Sequence, residues 1–492
     1  MWEKLEPTPP HLSYLILSGF LITYALFSIF IRNRLHLSEP PLALVVGVFF
    51  GPHCISALNP VSWNFEDDVT FEFSRIILAL QVFVVGLELP SRYLSKHYRS
   101  VLMMLGPIMA FGWAVCACFI KVLVPATTWP IALLIAACLT PTDPILAASI
   151  LSNSQFSGRL PARIKHLLSC ESGCNDGTSF PFLYIGIAIL SNTSTGGSIR
   201  DWFLVTILYQ CVLGILVGAV IGYVANRALR YADERKLIGE TSFVIFYLLL
   251  AILGVGIAST LGLDDFLVNF SSGVVFAHDD FFASRTRESN LNNFLDLMLN
   301  STFFVYLGTV VPWSMYADSD LGLTPWRLIV LLILVLLFRR VPIVIALKRL
   351  IPDIKTYKEA LFCGHFGPMG VGALFLAMEA RSELEKAMKD NPGQATRAIE
   401  LIWPVTTFIV VGSTLVHGLS VGALSVLIHL RRKPEHRAGN IGGETEPIGG
   451  MVHEEEDLEE EEAEEDFEER GERGNGDGNN IRQHGRQGRI RL

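Results

Sequence analysis

Ser169-Cys170-Glu171-Ser172-Gly173-Cys174-Asn175-Asp176-Gly177-Thr178-Ser179-Phe180, continued by the apolar run from Pro181 to Leu190, reads as one membrane-length segment with two carboxylates inside it. On insertion scales each costs roughly 2.5–3.5 kcal/mol at a bilayer centre. Other helices must compensate that cost. At helical spacing Glu171 and Asn175 share one face, and Ser172, Asp176 and Ser179 share the adjacent one. Gly173 and Gly177 form a small-xxx-small pair that admits a neighbouring helix beside the carboxylates. Ionisable groups at membrane depth mark ion or proton pathways, the alternative here being a polar kink satisfied by its neighbours.

The rest of the chain fits a polytopic helical membrane protein. Of 492 residues 51% are hydrophobic and 18% charged, and the apolar runs repeatedly approach the ~20 residues that cross a bilayer. Thirteen spans are predicted, near 12–31, 39–54, 71–90, 100–122, 131–151, 164–190, 202–226, 241–261, 264–278, 291–311, 326–347, 357–379 and 400–429. Residues 1–430 then form a transmembrane domain. Residues 431–492 hold ten Lys/Arg against eighteen Asp/Glu, which accounts for −8 of the formal net charge of −9. This acidic, Gly-rich segment is expected to be a disordered cytoplasmic tail. The nearly neutral membrane body gives no support for nucleic-acid binding.

All eight cysteines lie in or beside apolar segments, where a small hydrophobe packs well, so no disulfide framework is expected. His166, Cys170 and Cys174 share a helical stripe, but their spacing is generic for a metal site. The Pro-rich lead has no basic n-region beyond Lys4, so the first apolar segment is expected to be a retained span. Basic clusters at Arg32/Arg34, Arg92/Lys96/Arg99, Arg159/Arg163/Lys165, Arg227/Arg230/Arg235/Lys236, Arg285/Arg287, Lys348/Arg349/Lys355/Lys358 and Arg431/Arg432/Lys433 alternate onto one side. The N-terminus is therefore expected outside and the C-terminus in the cytoplasm.

Two spans are interrupted at mid-depth. Leu139-Thr140-Pro141-Thr142-Asp143-Pro144 carries two prolines three apart, each removing a helix hydrogen bond. Gly364-His365-Phe366-Gly367-Pro368-Met369-Gly370-Val371-Gly372 can hardly remain helical. Such backbone is tolerated at membrane depth only where protein buries it or it lines a cavity. The breaks lie seven spans apart, the offset that two inverted repeats, spans 1–6 and 8–13, would produce, and paired broken helices point to a transporter's midplane site. Arg339-Arg340 lie deep in the eleventh span between apolar runs and need an intramembrane partner, for which Glu171 is the candidate. Glu88 closes the third span, and Asp264-Asp265 open the ninth, where carboxylates also serve as ordinary helix N-terminal charges.

Taken together and in order, Thr140-Pro-Thr-Asp-Pro144, Glu171-Ser-Gly-Cys-Asn-Asp-Gly177, Phe338-Arg-Arg-Val-Pro342 and Gly364-His-Phe-Gly-Pro-Met-Gly-Val-Gly372 resemble the fungal plasma-membrane sodium/proton antiporters of the cation/proton antiporter superfamily. The resemblance covers essentially the whole membrane body. It implies an all-α, thirteen-span inverted-repeat fold with crossed broken helices, a homodimer, and exchange of cytosolic Na⁺ and Li⁺ for external H⁺, with K⁺ as a further candidate cation, which supports salt tolerance and pH homeostasis. Carried over by position, Asp176 resembles the ion- and proton-binding carboxylate, with Asp143, Thr142 and Ser172 around the ion and Asn175 beside Asp176. Glu171 and Arg340 resemble a buried structural ion pair, and Glu88, Arg339, His365, Asp264 and Asp265 stand as accessory candidates. The Asn175-Asp176 pair is similar to the pattern linked to electroneutral exchange.

The implied chemistry is competition. Na⁺ and Li⁺ are hard cations that seek oxygen ligands, and a carboxylate set out of water near like charges holds its proton more tightly than one in water. One such group can exchange cation for proton near neutral pH. No cofactor is implied: ATP need not enter, and no G-x-x-x-x-G-K-[ST] loop is present. An intramembrane aspartyl hydrolase built on Asp143 and Asp176 would leave the second break and the buried arginines without a purpose. A cation channel differs from an exchanger in lacking flux that saturates and is coupled to an opposing proton gradient.

Overall fold

The computed structural model describes residues 8–31, 37–63, 66–143, 160–191, 199–279, 281–282, 291–387 and 392–431, and among these every regular element is helical and none is a strand. In chain order the helices are α1 Pro9–Phe30, α2 Glu39–Phe50, α3 Glu66–Glu88, α4 Tyr93–Leu123, α5 Trp129–Cys138, α6 Ala162–Thr178, α7 Phe180–Ser191 and α8 Ile199–Glu234. They continue as α9 Glu240–Leu261, α10 Asp265–Phe276, α11 Leu291–Val310, α12 Pro325–Phe338, α13 Val341–Leu347, α14 Tyr357–His365, α15 Val371–Ala387 and α16 Pro392–Arg431. By length and apolar composition, six helical stretches among the described residues suffice to cross a membrane: Pro10–Phe30, Asp67–Glu88, Tyr93–Leu123, Ile199–Glu234, Pro325–Leu350 and Ala395–Ser420.

The chain divides into two compact units, 1–154 with 162–433, and 155–161 with 434–492. Of the second unit only residues 160–161 are described, and they are not helical. The expected tail lies outside the described residues except for Arg431, as do Pro144–Leu151 of the fifth span and the basic positions Arg32, Arg34, Arg159, Arg285 and Arg287.

Among the described residues the predicted spans fall on helices, several of them broken, and proline sits at most of the breaks. The sixth span, read as one segment, is divided at Ser179 into α6 and α7, because Pro181 has no N–H to offer the preceding turn. Pro342 likewise separates α12 from α13 at Arg339-Arg340. In α4, Pro107 is absorbed by a π-helical turn over Met104–Ile108.

α10 is short, twelve residues, about 18 Å at 1.5 Å per residue. Ten of those residues are buried, so protein and not lipid surrounds it. Its two flanks are closed by glycine: a Cβ on Gly273 would overlap the Phe83 carbonyl of α3, and one on Gly218 of α8 would overlap the Val268 carbonyl. α10 and α3 together form the wall against which α6 lies. The gap between them is narrow enough that Gly173 of α6 has Val85 of α3 2.8 Å and Phe270 of α10 3.0 Å from where its Cβ would be.

Candidate functional site

α5 ends at Cys138, closes with two turn bonds (the Leu139 N–H to the Ala136 carbonyl, 3.0 Å, and the Thr140 N–H to that of Ala137, 3.1 Å), and the chain leaves the helical pattern over residues 141–143. α14 ends at His365 and α15 begins at Val371, with non-helical backbone between. These two interruptions lie against each other. The Asp143 N–H donates to the Pro368 carbonyl (2.8 Å), and the Val371 N–H, first of α15, donates to Asp143 Oδ2 (2.9 Å). Asp143 thus caps the positive end of a half-helix.

α6 passes beside this crossing and fastens the 140–142 stretch. The Thr142 N–H donates to Asn175 Oδ1 (3.2 Å), Asn175 Nδ2 donates to Thr142 Oγ1 (2.7 Å), and the Thr142 and Ser172 hydroxyls share a bond of 2.8 Å. One turn on, Thr140 Oγ1 donates to Ser179 Oγ (2.9 Å), which donates to the Asn175 carbonyl (2.6 Å). Asn175 therefore acts on Thr142 from both ends of its amide.

Asp176 is treated differently. It is 1% exposed, yet neither carboxylate oxygen has a hydrogen-bond partner among the described residues. Buried polar groups left so are rare and call for an explanation. The carboxylate points at α15, where a side chain on Gly372 would overlap Oδ1, just as one on Gly370 would overlap Asp143 Oδ2. Glycine at both positions makes room for the two acids at the crossing. Asp264 completes the group from the α10 side: fully buried, it accepts the Phe266 and Leu267 N–H groups on Oδ1 (3.0 Å each), and its carboxylate lies 2.9 Å from where a Cβ on Gly177 would be.

The doubled arginine divides its work. Arg340 gives both terminal nitrogens to the Glu171 carboxylate, Nη2 to Oε2 at 2.9 Å, and Nη2 also reaches the Cys363 carbonyl (3.2 Å). Arg339 has no acid partner among the described residues; its Nη1 donates to the Leu139 carbonyl and, at 3.4 Å, to that of Pro141, and its Nη2 to that of Gly367. One guanidinium thus bonds carbonyls freed by both interruptions.

Of the other sequence candidates, Asp265 is ion-paired to Arg75 (3.3 Å) and accepts from Ser259 Oγ (2.8 Å). Glu88 is exposed, one turn beyond Val85. His365 ends α14, exposed, its carbonyl 3.1 Å from His417 Nε2. Sequence reasoning passed over Arg75, His417, Ser413 and Glu379. Arg75 carried a signal, a lone arginine inside an apolar span; His417 and Ser413, in a long apolar helix, carried almost none.

A family model described as "Sodium/hydrogen exchanger, transmembrane" matches residues 21–427. The chain belongs to the sodium/hydrogen exchanger family. It is 44% identical over 434 residues to a protein of Zygosaccharomyces rouxii named Na(+)/H(+) antiporter 2, covering 86% of this chain and 54% of that one. It is 42% identical to the Na(+)/H(+) antiporter of Saccharomyces cerevisiae, covering 87% and 45%. It therefore spans about half the length of these relatives. With a Schizosaccharomyces pombe Na(+)/H(+) antiporter it shares 39% identity over 86% of this chain and 92% of the relative. These relatives are named for transport and not for catalysis. Among solved structures, the sodium proton antiporter MjNhaP1 of Methanocaldococcus jannaschii shares the fold, with a TM-score of 0.61 at 17% identity over 84% of this chain and all of that one.

Proposed function

We propose that this protein is a secondary transporter that exchanges Na⁺ for H⁺ by alternating access, with Asp176 as the group for which the two compete. The observation that supports it best is a fully buried carboxylate with both oxygens unpartnered, set where two interrupted helices meet. A hard monovalent cation at Asp176 Oδ1 and Oδ2 would find further oxygen at Asp143 and at the Thr142 and Ser172 hydroxyls. A proton on Asp176 removes the charge that holds it. The Glu171–Arg340 pair and the Arg339 carbonyl contacts keep the crossing assembled while the occupant changes. Li⁺, of the same chemistry, shares the site, and K⁺ is the larger competitor to be tested.

The chain carries this out as a homodimer in the plasma membrane, built on two inverted repeats, expelling cytosolic alkali cations and thereby supporting salt tolerance. The names of its fungal relatives support the ion pair exchanged, though the chain spans about half the length of two of them. The test is purified protein in proteoliposomes at clamped voltage with Na⁺, Li⁺ and K⁺. An inward Na⁺ gradient should drive protons outward with saturation; cation flux that neither saturates nor moves protons would make it a channel.

A further inference from the structure

α15 presents Gly372, Phe375 and Glu379 on one face, at spacings of three and four residues. Gly372 faces Asp176. Glu379 stands seven residues further along, about 10 Å at the helical rise. Between them Phe375, 1% exposed, is surrounded by rings from three other helices. It stacks on Phe71 of α3 (centroids 5.2 Å, planes 17° apart), meets Phe266 of α10 edge-on (4.8 Å, 78°), and lies 6.3 Å from Phe180 of α7.

Arg75 lies over this aromatic group. Its guanidinium is 4.3 Å from the Phe71 centroid and 5.7 Å from that of Phe375. Acids hold it there: Asp265 Oδ2 at 3.3 Å from Nε and Glu72 Oε1 at 2.8 Å from Nη1. Glu379, beyond the rings, takes a hydrogen bond from the Tyr184 hydroxyl (3.1 Å). Three acids, one arginine and four rings thus gather along α15 beyond the Gly372 that faces Asp176, and none of them is used by the exchange chemistry at the crossing.

We propose that Phe375 with Phe71, Phe180 and Phe266 is a closed gate between Asp176 and the Glu379 end of the protein, latched by Arg75 on Asp265, and that Glu379 is the carboxylate that receives a monovalent cation arriving at that end. This rests on the reading of Asp176 as the exchange site. A cation reaching Asp176 from this end must pass Phe375, and no hydration shell passes four packed rings. Opening requires Phe375 to leave Phe71, which also removes a ring from beneath the guanidinium. The latch and the plug therefore move together. Arg75 meanwhile occupies the ring faces that an entering cation would favour and neutralises acids that would otherwise attract one. With the N-terminus outside, as the basic loops predict, this is the extracellular gate.

The experiment uses the full chain in proteoliposomes whose orientation is scored by accessibility of a C-terminal tag, with Na⁺ supplied to one face at a time. Wild-type protein without Na⁺-coupled proton movement would sink the exchange reading itself, before any variant is made. Given exchange, Glu379→Gln should raise half-saturating Na⁺ by about tenfold from the Glu379 face and leave the opposite face within about twofold, the loss of one attracting charge at short range. Glu379→Asp should remain close to wild type on both faces. Arg75→Gln should add a proton leak in the absence of Na⁺, and Arg75→Lys, which retains the cation over the rings, should suppress it. Equal changes on both faces, no change in Glu379→Gln, loss of folded protein in both Glu379 variants, or a wild-type leak in Arg75→Gln would each overturn the proposal.

Discussion

Glu171 and Asp176 are five residues apart on one helix, and their surroundings use them in opposite ways. Glu171 receives both terminal nitrogens of Arg340, so its charge is committed to holding α6 against the start of α13. Asp176 receives nothing from the described residues, so its charge remains available to a cation or a proton. Glu171→Gln should therefore cost folded protein, since breaking a buried pair commonly costs about 3–5 kcal/mol. Thermal melting in detergent checks this; a fully stable Glu171→Gln beside a collapsing Arg339→Ala would make Arg339 the essential charge. Asp176→Asn removes no protein contact and should melt near wild type while abolishing both Na⁺-driven proton movement and proton-driven Na⁺ movement. Coupled exchange at near-normal rate in that variant would place the competition at another group, with Asp143 or His365 next in line. Competition also fixes the sign of the pH dependence. Na⁺ needs the deprotonated carboxylate, so in wild type each unit of pH below the site's pKa should weaken apparent Na⁺ affinity by about tenfold, or ~1.36 kcal/mol, with much less change in the saturating rate. Flux assays across a pH series, read as half-saturation and rate separately, decide it.

At the scale of elements, the interrupted α14–α15 segment is held by two polar residues of α16 that the sequence did not single out. Ser413 Oγ of α16 accepts the Met369 N–H (2.9 Å), and one turn later His417 Nε2 lies 3.1 Å from the His365 carbonyl. Arg339 takes the Gly367 carbonyl between them. Because both α16 residues hold one five-residue stretch, Ser413→Ala and His417→Ala should be non-additive, with a coupling of about 0.5–3 kcal/mol in a double-mutant cycle of melting stability. Strict additivity would mean that the segment is fixed without them. Both breaks were legible in the sequence because proline and glycine act on their own backbone. The pairing of Glu171 with Arg340 was also within reach, since each charge at membrane depth demanded a partner. What Arg339 binds was not legible: its partners are main-chain carbonyls, which have no residue identity to read. The Asp143 contact to Val371 was hidden by their separation of 228 positions along the chain. The division of α6 from α7 was missed because one proline within an apolar run was given less weight than the run's length.

For the whole molecule, side-chain contacts gather the basic helix ends onto one face. Arg230 pairs with Asp279 and Ser91 Oγ donates to the His278 carbonyl (2.8 Å), which brings the end of α8 and the start of α4 to the end of α10. His97 meets Asp353 (2.6 Å), and Arg163 binds Glu359 (2.8 Å), which adds the start of α6 and the loop after α13. The opposite end is tied by Arg381 to Asp67 (3.0 Å) and by Arg397 to the Asp320 carbonyl. Lys/Arg excess near span ends marks the cytoplasmic side. Some of these basic groups are weaker markers than their number suggests, since Arg163 is already neutralised by Glu359. Lys96, Arg99, Lys165, Arg227, Arg235, Lys348 and Arg349 lie at the same end, however, so the asymmetry survives without it. The face bearing Arg230, His97 and Arg163 is therefore expected in the cytoplasm, and the face bearing Asp67, Arg381 and Glu379 outside. On sealed cells, an impermeant thiol reagent should label a cysteine placed at Asp320 and should not label one at Lys236 until the membrane is opened, in a background where the exposed Cys54 and Cys118 are replaced by serine. Labelling in the reverse order would invert the topology, and with it the assignment of the Glu379 gate to the extracellular side.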